Sequence, residues 1–347
     1  MQMIKQIHDI IRKHKEKAVA GAIFAVVLTG IAFTRYSTMP VAPSITGVIV
    51  DIPKGSSFFQ IAEILNDAGL VANRPFFWIL ALGKGAVRQI RAGEYEFSGA
   101  QSPLAIIEKL VRGEIKFYPV TLPEDITVND ITKRLLVDKL INEKEFLALA
   151  NDREFLESLD ITADSIEGYL FPETYLLDRS MTTKEVIRIM VRQFWKEITP
   201  EMRARAEKIG LTFHEWLTLA SIIGKEAGNQ AEKPYISAVF HNRLKRGMKL
   251  QSDPTAVYHL EKAGKPVKTV LRTHLKQETP HNTYVISGLP PGPIANPGID
   301  SLKAALYPAS VNYLYFVSNN DGSHSFSATL EAHNQAVSKY QIKRKKK

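Results

Sequence analysis

The hydrophobic pattern marks distinct zones along the chain. Residues 18–34, AVAGAIFAVVLTGIAFT, are uncharged and mostly apolar, with no polar stripe. A core helix normally keeps one polar side towards water. At about 1.5 Å per residue this run is near the shortest that crosses a hydrocarbon core of about 30 Å. The pattern therefore predicts a transmembrane signal anchor at 18–34. No A-x-A cleavage pattern follows it and the leader of residues 1–17 is long, which favours a retained anchor over a removed signal peptide. Residues 35–45, with Pro40 and Pro43, read as a linker.

From 46 to 140 a weak internal repeat emerges. Val50-Asp51-Ile52-Pro53, Ser56, Ile61, Ile64, Leu65 and Leu70 are followed seventy positions later by Val120-Thr121-Leu122-Pro123, Thr127, Ile131, Leu135 and Leu140. Pro53/Pro123, Ile61/Ile131, Leu65/Leu135 and Leu70/Leu140 share one offset. A looser copy joins Gly93-Glu94-Tyr95-Glu96-Phe97 to Ser102, Pro103, Ile106, Ile107 and Leu110. Each copy predicts a strand, a turn and a short amphipathic helix. Such βα modules occur in wall-binding LysM domains and also as plain connecting folds, and the pattern leaves both open.

Beyond 181 the period becomes helical. Val186, Ile187, Met190, Val191 and Phe194 lie on one face of a helix from Thr183 to Trp195. A second helix opens at Thr212-Phe213-His214-Glu215, a capping box. It runs through Trp216, Leu219, Ala220, Ile223 and Ala227, with Gly228 as the expected C′ residue. A further helix covers 236–244.

Charge changes the picture less than its total suggests. The formal net charge is +9. Residues 1–17 hold Lys5, Arg12, Lys13, Lys15 and Lys17 against Asp9 and Glu16, and the tail Lys343-Arg344-Lys345-Lys346-Lys347 adds five positive charges. Those two ends carry eight of the nine charges, so the body lacks the basic face of a nucleic-acid reader. Basic residues before the apolar run, with only Arg35 close after it, place the N-terminus in the cytoplasm and the rest across the membrane. With no cysteine there is no disulfide, thiolate metal site or cysteine nucleophile. No H-E-x-x-H, P-loop, G-x-G-x-x-G or G-x-S-x-G pattern is present and the histidines lack ligand spacing, so neither metal nor cofactor is expected.

One acid then stands out. In Ala220-Ser221-Ile222-Ile223-Gly224-Lys225-Glu226-Ala227-Gly228, Glu226 falls on the flank of the apolar face, and Lys225 points roughly the other way. It also occupies the last turn, where the helix dipole disfavours a negative charge. Partial burial and the dipole both raise a carboxyl pKa, which suits an acid that must protonate a glycosidic oxygen. Helix geometry alone equally accommodates an edge glutamate reaching to water. The loops around it suit a cleft for hydroxyl-rich ligands: Glu167-Gly168-Tyr169-Leu170-Phe171-Pro172-Glu173-Thr174-Tyr175, Asn242-Arg243-Leu244, Gln251-Ser252-Asp253-Pro254-Thr255, Thr279-Pro280-His281-Asn282-Thr283-Tyr284, Gly288-Leu289-Pro290-Pro291-Gly292-Pro293-Ile294 and Asn296-Pro297-Gly298.

EGYLFPETY, ASIIGKEA, FHNRLKRGMKLQSDPTAVY, HNTYVISGLPPGPIANPGIDSLKAALYP, YLYFVSN and HSFSATLEAHN, in that order, make the chain resemble the membrane-anchored endolytic murein transglycosylases, the YceG-like family. The resemblance implies an α+β fold: an N-terminal transmembrane helix at 18–34, a LysM-like region at 46–140, a catalytic domain with a glycan cleft at 141–340, and a basic tail at 341–347. It implies non-hydrolytic cleavage of the MurNAc–GlcNAc β-1,4 bond of peptidoglycan, leaving a 1,6-anhydro end and ending nascent strands. Peptidoglycan synthases are the implied partners, and the inner membrane is the implied location. The family's catalytic glutamate, the second acid of its usual E-K-E triplet, maps to Glu226. Asn242, Gln251, Asp253, Asn282 and Tyr284 are candidate substrate or orienting residues. Two positions depart from the pattern: Gly224 stands for the first acid, and His281 replaces an aromatic residue. Residues two apart on a helix point about 200° from each other, so Gly224 is expected off the Glu226 face, loosening the helix by up to about 1 kcal/mol. A hydrolase using Asp253 or Glu173 as a second carboxylate, and a non-catalytic wall-binding scaffold, are the alternatives.

Overall fold

The computed structural model describes residues 2–41, 47–97 and 100–342. The chain forms two compact units, residues 1–117 with 178–180, and residues 118–177 with 181–347. The basic tail at 343–347 and part of the expected linker, 42–46, lie outside the described residues.

The first unit contains α1 (Gln2–Thr38), β1 (Val48–Ile52), α2 (Phe58–Asp67), α3 (Arg74–Gly83), β2 (Gly93–Phe97) and α4 (Pro103–Arg112). The expected anchor lies within α1, whose side chains from Arg12 to Gly30 are exposed. The helix continues to Thr38, four residues into the expected linker, because nothing before Pro40 breaks it. β1 and β2 pair antiparallel, Val48 opposite Phe97 and Ile52 opposite Gly93. Their buried residues Val50, Ile52, Tyr95 and Phe97 meet Ile61 and Leu65 of α2, Phe77 of α3, and Ile106 and Leu110 of α4. The unit is thus a two-stranded ribbon covered by short helices.

The second unit is α+β and mostly helical. It comprises β3 (Tyr118–Thr121), α5 (Val128–Val137), α6 (Glu143–Leu149), α7 (Arg153–Glu157), β4 (Thr174–Leu177), α8 (Thr183–Glu197) and α9 (Pro200–Lys208). It continues with α10 (Phe213–Glu226), α11 (Lys233–Lys245), α12 (Asp253–Lys262), α13 (Arg272–Leu275), α14 (Ile299–Leu306), β5 (Tyr315–Ser318), β6 (His324–Ser327) and α15 (Leu330–Val337). β3 pairs with β4 and β5 with β6, both antiparallel.

The seventy-residue repeat is real at the level of local structure. β1–α2 and β3–α5 are both strand, turn and capped helix, with capping boxes Ser57/Gln60 and Thr127/Asp130 at the shared offset. Ser57, one residue after the expected Ser56, is the cap in the first copy. Ile61, Ile131, Leu65 and Leu135 are all buried. The two copies nevertheless belong to different units. β3 finds its partner in β4, so Val120, Ile131, Leu135 and Leu140 join the core of the second unit and the division falls at 117/118, upstream of the boundary expected at 140. A strand is committed by the edge it pairs with, which local periodicity does not specify.

α10 is the centre of the second unit. Every residue from Trp216 to Gly224 is buried, where the periodicity suggested one apolar face. Its polar residues are satisfied internally: Thr218 donates to the His214 carbonyl at 2.7 Å, Ser221 donates to the Thr218 carbonyl at 2.7 Å and accepts from Ile294 N at 3.0 Å. Trp216 donates to the Leu302 carbonyl of α14 at 2.9 Å. Each fully buried large apolar side chain stabilises the fold by roughly 1.5–3 kcal/mol, so α10 is a rigid support for whatever its last residue carries.

Candidate active site

Glu226 is the last residue of α10; Ala227 caps the helix in an extended conformation. Gly228 is therefore not the left-handed C′ residue expected. It is small because the Gly322 carbonyl group packs against it, where a Cβ would collide. Lys225 turns away and pairs with Glu261 at 3.2 Å. Glu226 is half-buried, and its open side forms part of a cavity of about 550 Å3.

A second helix end meets Glu226. Ser252 precedes α12 at the N-cap position, yet its hydroxyl does not cap that helix. It donates to Glu226 Oε1 at 2.6 Å, and the Asp253 backbone N–H donates to the same carboxyl group. Ser252 is fixed in turn: its N–H donates to Thr283 Oγ1 at 2.9 Å, and Thr255 donates to its carbonyl at 2.6 Å. The carboxyl thus lies between the C-terminus of one helix, which opposes negative charge, and the N-terminus of another, which favours it. Burial dominates and pushes Glu226 up to about 7; the Ser252 hydrogen bond pulls down, the Asp253 charge pushes up, and Arg243 pulls down. The group therefore exchanges a proton near neutral pH and has a hydrogen-bond donor ready for its anionic form.

The cavity is also lined by Arg243, Gln251, Asp253, Tyr284, Tyr315 and His333. Arg243 is 7% exposed, so its charge is spread over carbonyls. It donates to those of Leu314 at 2.7 Å and Leu250 at 2.9 Å, and to Gln251 Oε1 at 3.2 Å, with the Tyr315 ring 5.2 Å away. Gln251 holds a left-handed backbone, φ 51°, at the cavity edge. Tyr284 donates to Asp253 Oδ1 at 2.6 Å.

The expected residues thus separate into two sets. Glu226, Gln251, Asp253 and Tyr284 share one cavity. Asn242 and Asn282 stand behind it. Asn242 donates to the Val311 and Tyr313 carbonyls at 2.9 Å each, fixing the approach to β5. Asn282, fully buried, donates to the Gln277 carbonyl at 2.7 Å and accepts from Tyr284 N at 3.0 Å. His281 packs on Tyr258 at 4.7 Å and lines a separate cavity of about 420 Å3 beside Glu167, so its departure does not face Glu226. Glu173 is on neither cavity wall; its carboxylate accepts from Thr174 N at 2.9 Å.

Sequence reasoning did not assign Ser252, Arg243, Tyr315 or His333 to the site. A serine directly before Asp-Pro is an N-cap signature, and that signal places a helix N-terminus at Ser252. The others are an arginine next to the chosen asparagine, Tyr315 of the closing hairpin and His333 of α15, which no local pattern ties to Glu226.

Two further carboxyls support the site, Glu167 buried and Asp125 half-buried. Glu167 accepts from Val128 N at 3.0 Å, Asn296 Nδ2 at 2.8 Å and Tyr258 OH at 3.2 Å, and burial pushes it up to about 8. Asn296 also accepts from Gly168 N at 2.9 Å, so these groups lock the EGYLF and ANPG loops together. Asp125 occupies the space beside Gly224. A Cβ there would overlap its carboxyl group, with even the farther oxygen, Oδ2, only 2.8 Å away. Asp125 Oδ2 is 3.9 Å from Lys233, and burial raises its pKa to about 6. Gly224 points off the Glu226 face, as expected, but its smallness serves packing.

A family model described as the YceG-like family matches residues 50–339. The chain is 34% identical over 311 residues to an endolytic murein transglycosylase of Bacillus subtilis, covering 85% of each protein. It is 29% identical over 343 residues to one of Streptococcus pneumoniae strain D39, covering 90% of this chain and 62% of that protein. A crystal structure of a YceG-like protein from Listeria monocytogenes superposes with a TM-score of 0.59 at 33% identity, covering 83% of this chain and 98% of the other.

Proposed function

The chain belongs to the YceG-like family, and from that premise we propose that it is a peptidoglycan lytic transglycosylase with Glu226 as its acid and base. The observation that carries this reading is the setting of Glu226: a carboxyl at the wall of a cavity, raised to about 7 and held by Ser252.

The chemistry needs one group that gives a proton and then takes one. Protonated Glu226 donates to the glycosidic oxygen between MurNAc and GlcNAc as the C1–O bond breaks. The resulting carboxylate is held by the Ser252 hydroxyl and the N-terminus of α12. It then removes the proton from the muramyl O6 hydroxyl as that oxygen bonds to C1, closing the 1,6-anhydro ring and restoring the acid. No water is consumed, so the second carboxylate of a glycosidase is not required. In this scheme Asp253 orients Tyr284, and Gln251 and Tyr284 face the sugar. Arg243 keeps a positive charge near the developing anion.

The apolar run of α1 anchors the enzyme by a single span, N-terminus inside, with the second unit on the outer face of the inner membrane. The first unit, a LysM-like ribbon, contacts glycan, and the enzyme ends nascent strands beside peptidoglycan synthases. The test of the core reading is digestion of purified glycan strands by the full-length protein in detergent, beside Glu226→Gln. Wild type cuts and the variant does not. A variant with full activity removes Glu226 from the mechanism, and a wild-type protein that binds strands without cutting them supports a scaffold.

A further inference from the structure

The first unit carries an apolar surface that its own core does not use. α3, with the sequence RPFFWILALG, is apolar on every side. Phe77, Leu80 and Ala81 point inward and are buried. Ile79 and Leu82, on the outer side, are 49% and 55% exposed, and Phe59 of α2 is 71% exposed and stacks on Trp78 at 6.5 Å. A helix that is hydrophobic all round belongs in a core or in lipid. Contiguous exposed apolar side chains of this size mark a contact surface.

The position of α3 selects lipid as the partner. Its first turn is bound to the end of the apolar run of α1: Phe33 and Tyr36 pack edge-on against Phe76 with centroids 5.6 Å apart, and Tyr36 OH donates to the Asn73 carbonyl at 3.0 Å. Phe33 is the penultimate residue of the run and Arg35 the first charge after it. If α1 spans the bilayer, Phe76 stands at the boundary between hydrocarbon and headgroups. Leu82 is six residues further, about 9 Å along the helix axis, a distance comparable with the headgroup layer. Tryptophan and basic residues favour that layer. Trp78 is half-buried at the flank of the outer side of α3, and Lys84, Arg88 and Arg91 are exposed in the segment that follows.

We infer that α3, with Phe59, lies in the outer interface of the same membrane that α1 crosses, with Ile79, Leu82, Trp78 and Phe59 among the acyl chains and the flanking cations at lipid phosphates. This rests on the anchor reading of α1. It turns a single tether into a two-point attachment that fixes the orientation of the first unit on the bilayer.

The chain has no cysteine, so single-site labelling is clean. Full-length Val27→Cys, Ile79→Cys and Leu82→Cys, each carrying a nitroxide, are reconstituted into vesicles of phosphatidylethanolamine and phosphatidylglycerol. The collision rates of each label with oxygen and with a water-soluble nickel complex are then compared. All three native side chains are exposed, so the labels displace no packing. Labels at 27, 79 and 82 should all favour oxygen several-fold, with 79 and 82 shallower than 27. A label at 27 in lipid with 79 and 82 fully accessible to nickel overturns the inference and leaves the anchor standing. A label at 27 that is itself accessible to nickel overturns both.

Discussion

Gly224→Ala should destabilise the protein, although replacing a helical glycine by alanine ordinarily stabilises a helix by up to about 1 kcal/mol. The added methyl would overlap the Asp125 carboxyl group, which packs against Gly224 with Oδ2 at 2.8 Å from the Cβ position. The Asp125 backbone is held in place. It is a non-glycine residue at φ 63°, its N–H donates to the Asn296 carbonyl at 2.8 Å, and Lys233 lies 3.9 Å from its carboxylate. Overpacking in a tight core costs about 1–3 kcal/mol. After a propensity gain of about 1 kcal/mol is subtracted, a net loss of up to about 2 kcal/mol remains, or up to roughly 8 °C in Tm for a unit of this size. The assay is thermal unfolding of Gly224→Ala, of Asp125→Gly, which tolerates the left-handed backbone, and of the double variant. In the Asp125→Gly background the same alanine should be neutral or stabilising, giving a coupling of about 1–3 kcal/mol. A Gly224→Ala protein at least as stable as wild type, or an equal effect in both backgrounds, would refute the packing argument.

Ser252→Ala removes the hydroxyl donor to the Glu226 anion. The alkaline limb of kcat/KM, set by loss of the Glu226 proton near 7, should move to higher pH, and kcat should fall by roughly 10–100-fold; an unmoved limb argues against the contact. Glu226→Gln should stabilise the fold in a pH-dependent way. Because the native pKa, about 7, exceeds that of the unfolded chain, the wild-type protein loses stability as pH rises from about 4.5 to 7. The glutamine variant should therefore gain about 1–2 kcal/mol over wild type at pH 8 relative to pH 5, a linkage value discounted for solvent in the cavity. An equal difference at both pH values in thermal unfolding contradicts it. Glu167, raised to about 8, is mostly neutral at pH 7. Glu167→Gln should then cost under about 1 kcal/mol and Glu167→Ala more than about 2 kcal/mol, by leaving its three buried donors unpaired, and denaturant titration separates them.

What the sequence disclosed follows the reach of its signals. Capping boxes and apolar periods act over one or two turns, so Thr212/Glu215, the α8 face and the seventy-residue likeness of β1–α2 to β3–α5 were legible. Strand pairing across fifty residues, as between β3 and β4, was not, and it moved the unit boundary. The candidate site shows the same division. Glu226 was visible as one acid in an apolar helix, and Gln251, Asp253 and Tyr284 in polar loops lie with it. Arg243 and His333 reach the site through tertiary packing alone, and the N-cap signature of Ser252 marks a helix start without tying it to Glu226. So does Asp125, nearly one hundred residues before the glycine that accommodates it. Asparagine drew attention as a polar loop residue, but a side chain with both donor and acceptor also serves to tie loops, which is the part Asn242, Asn282 and Asn296 play.

In the proposed cycle Glu226 passes one proton out and one back while the sugar's own O6 replaces water. The most direct measurement is digestion of purified glycan strands in heavy-oxygen water, with product masses read for wild type and Glu226→Gln. Wild type should give new ends one water lighter than hydrolysed ends, with no heavy oxygen incorporated, and the variant should give no new ends. Heavy oxygen at the new reducing ends would instead make the protein a hydrolase and bring Asp253 forward as its second carboxylate. Unlabelled anhydro ends produced equally by Glu226→Gln would leave the reaction intact and contradict the residue assigned to it.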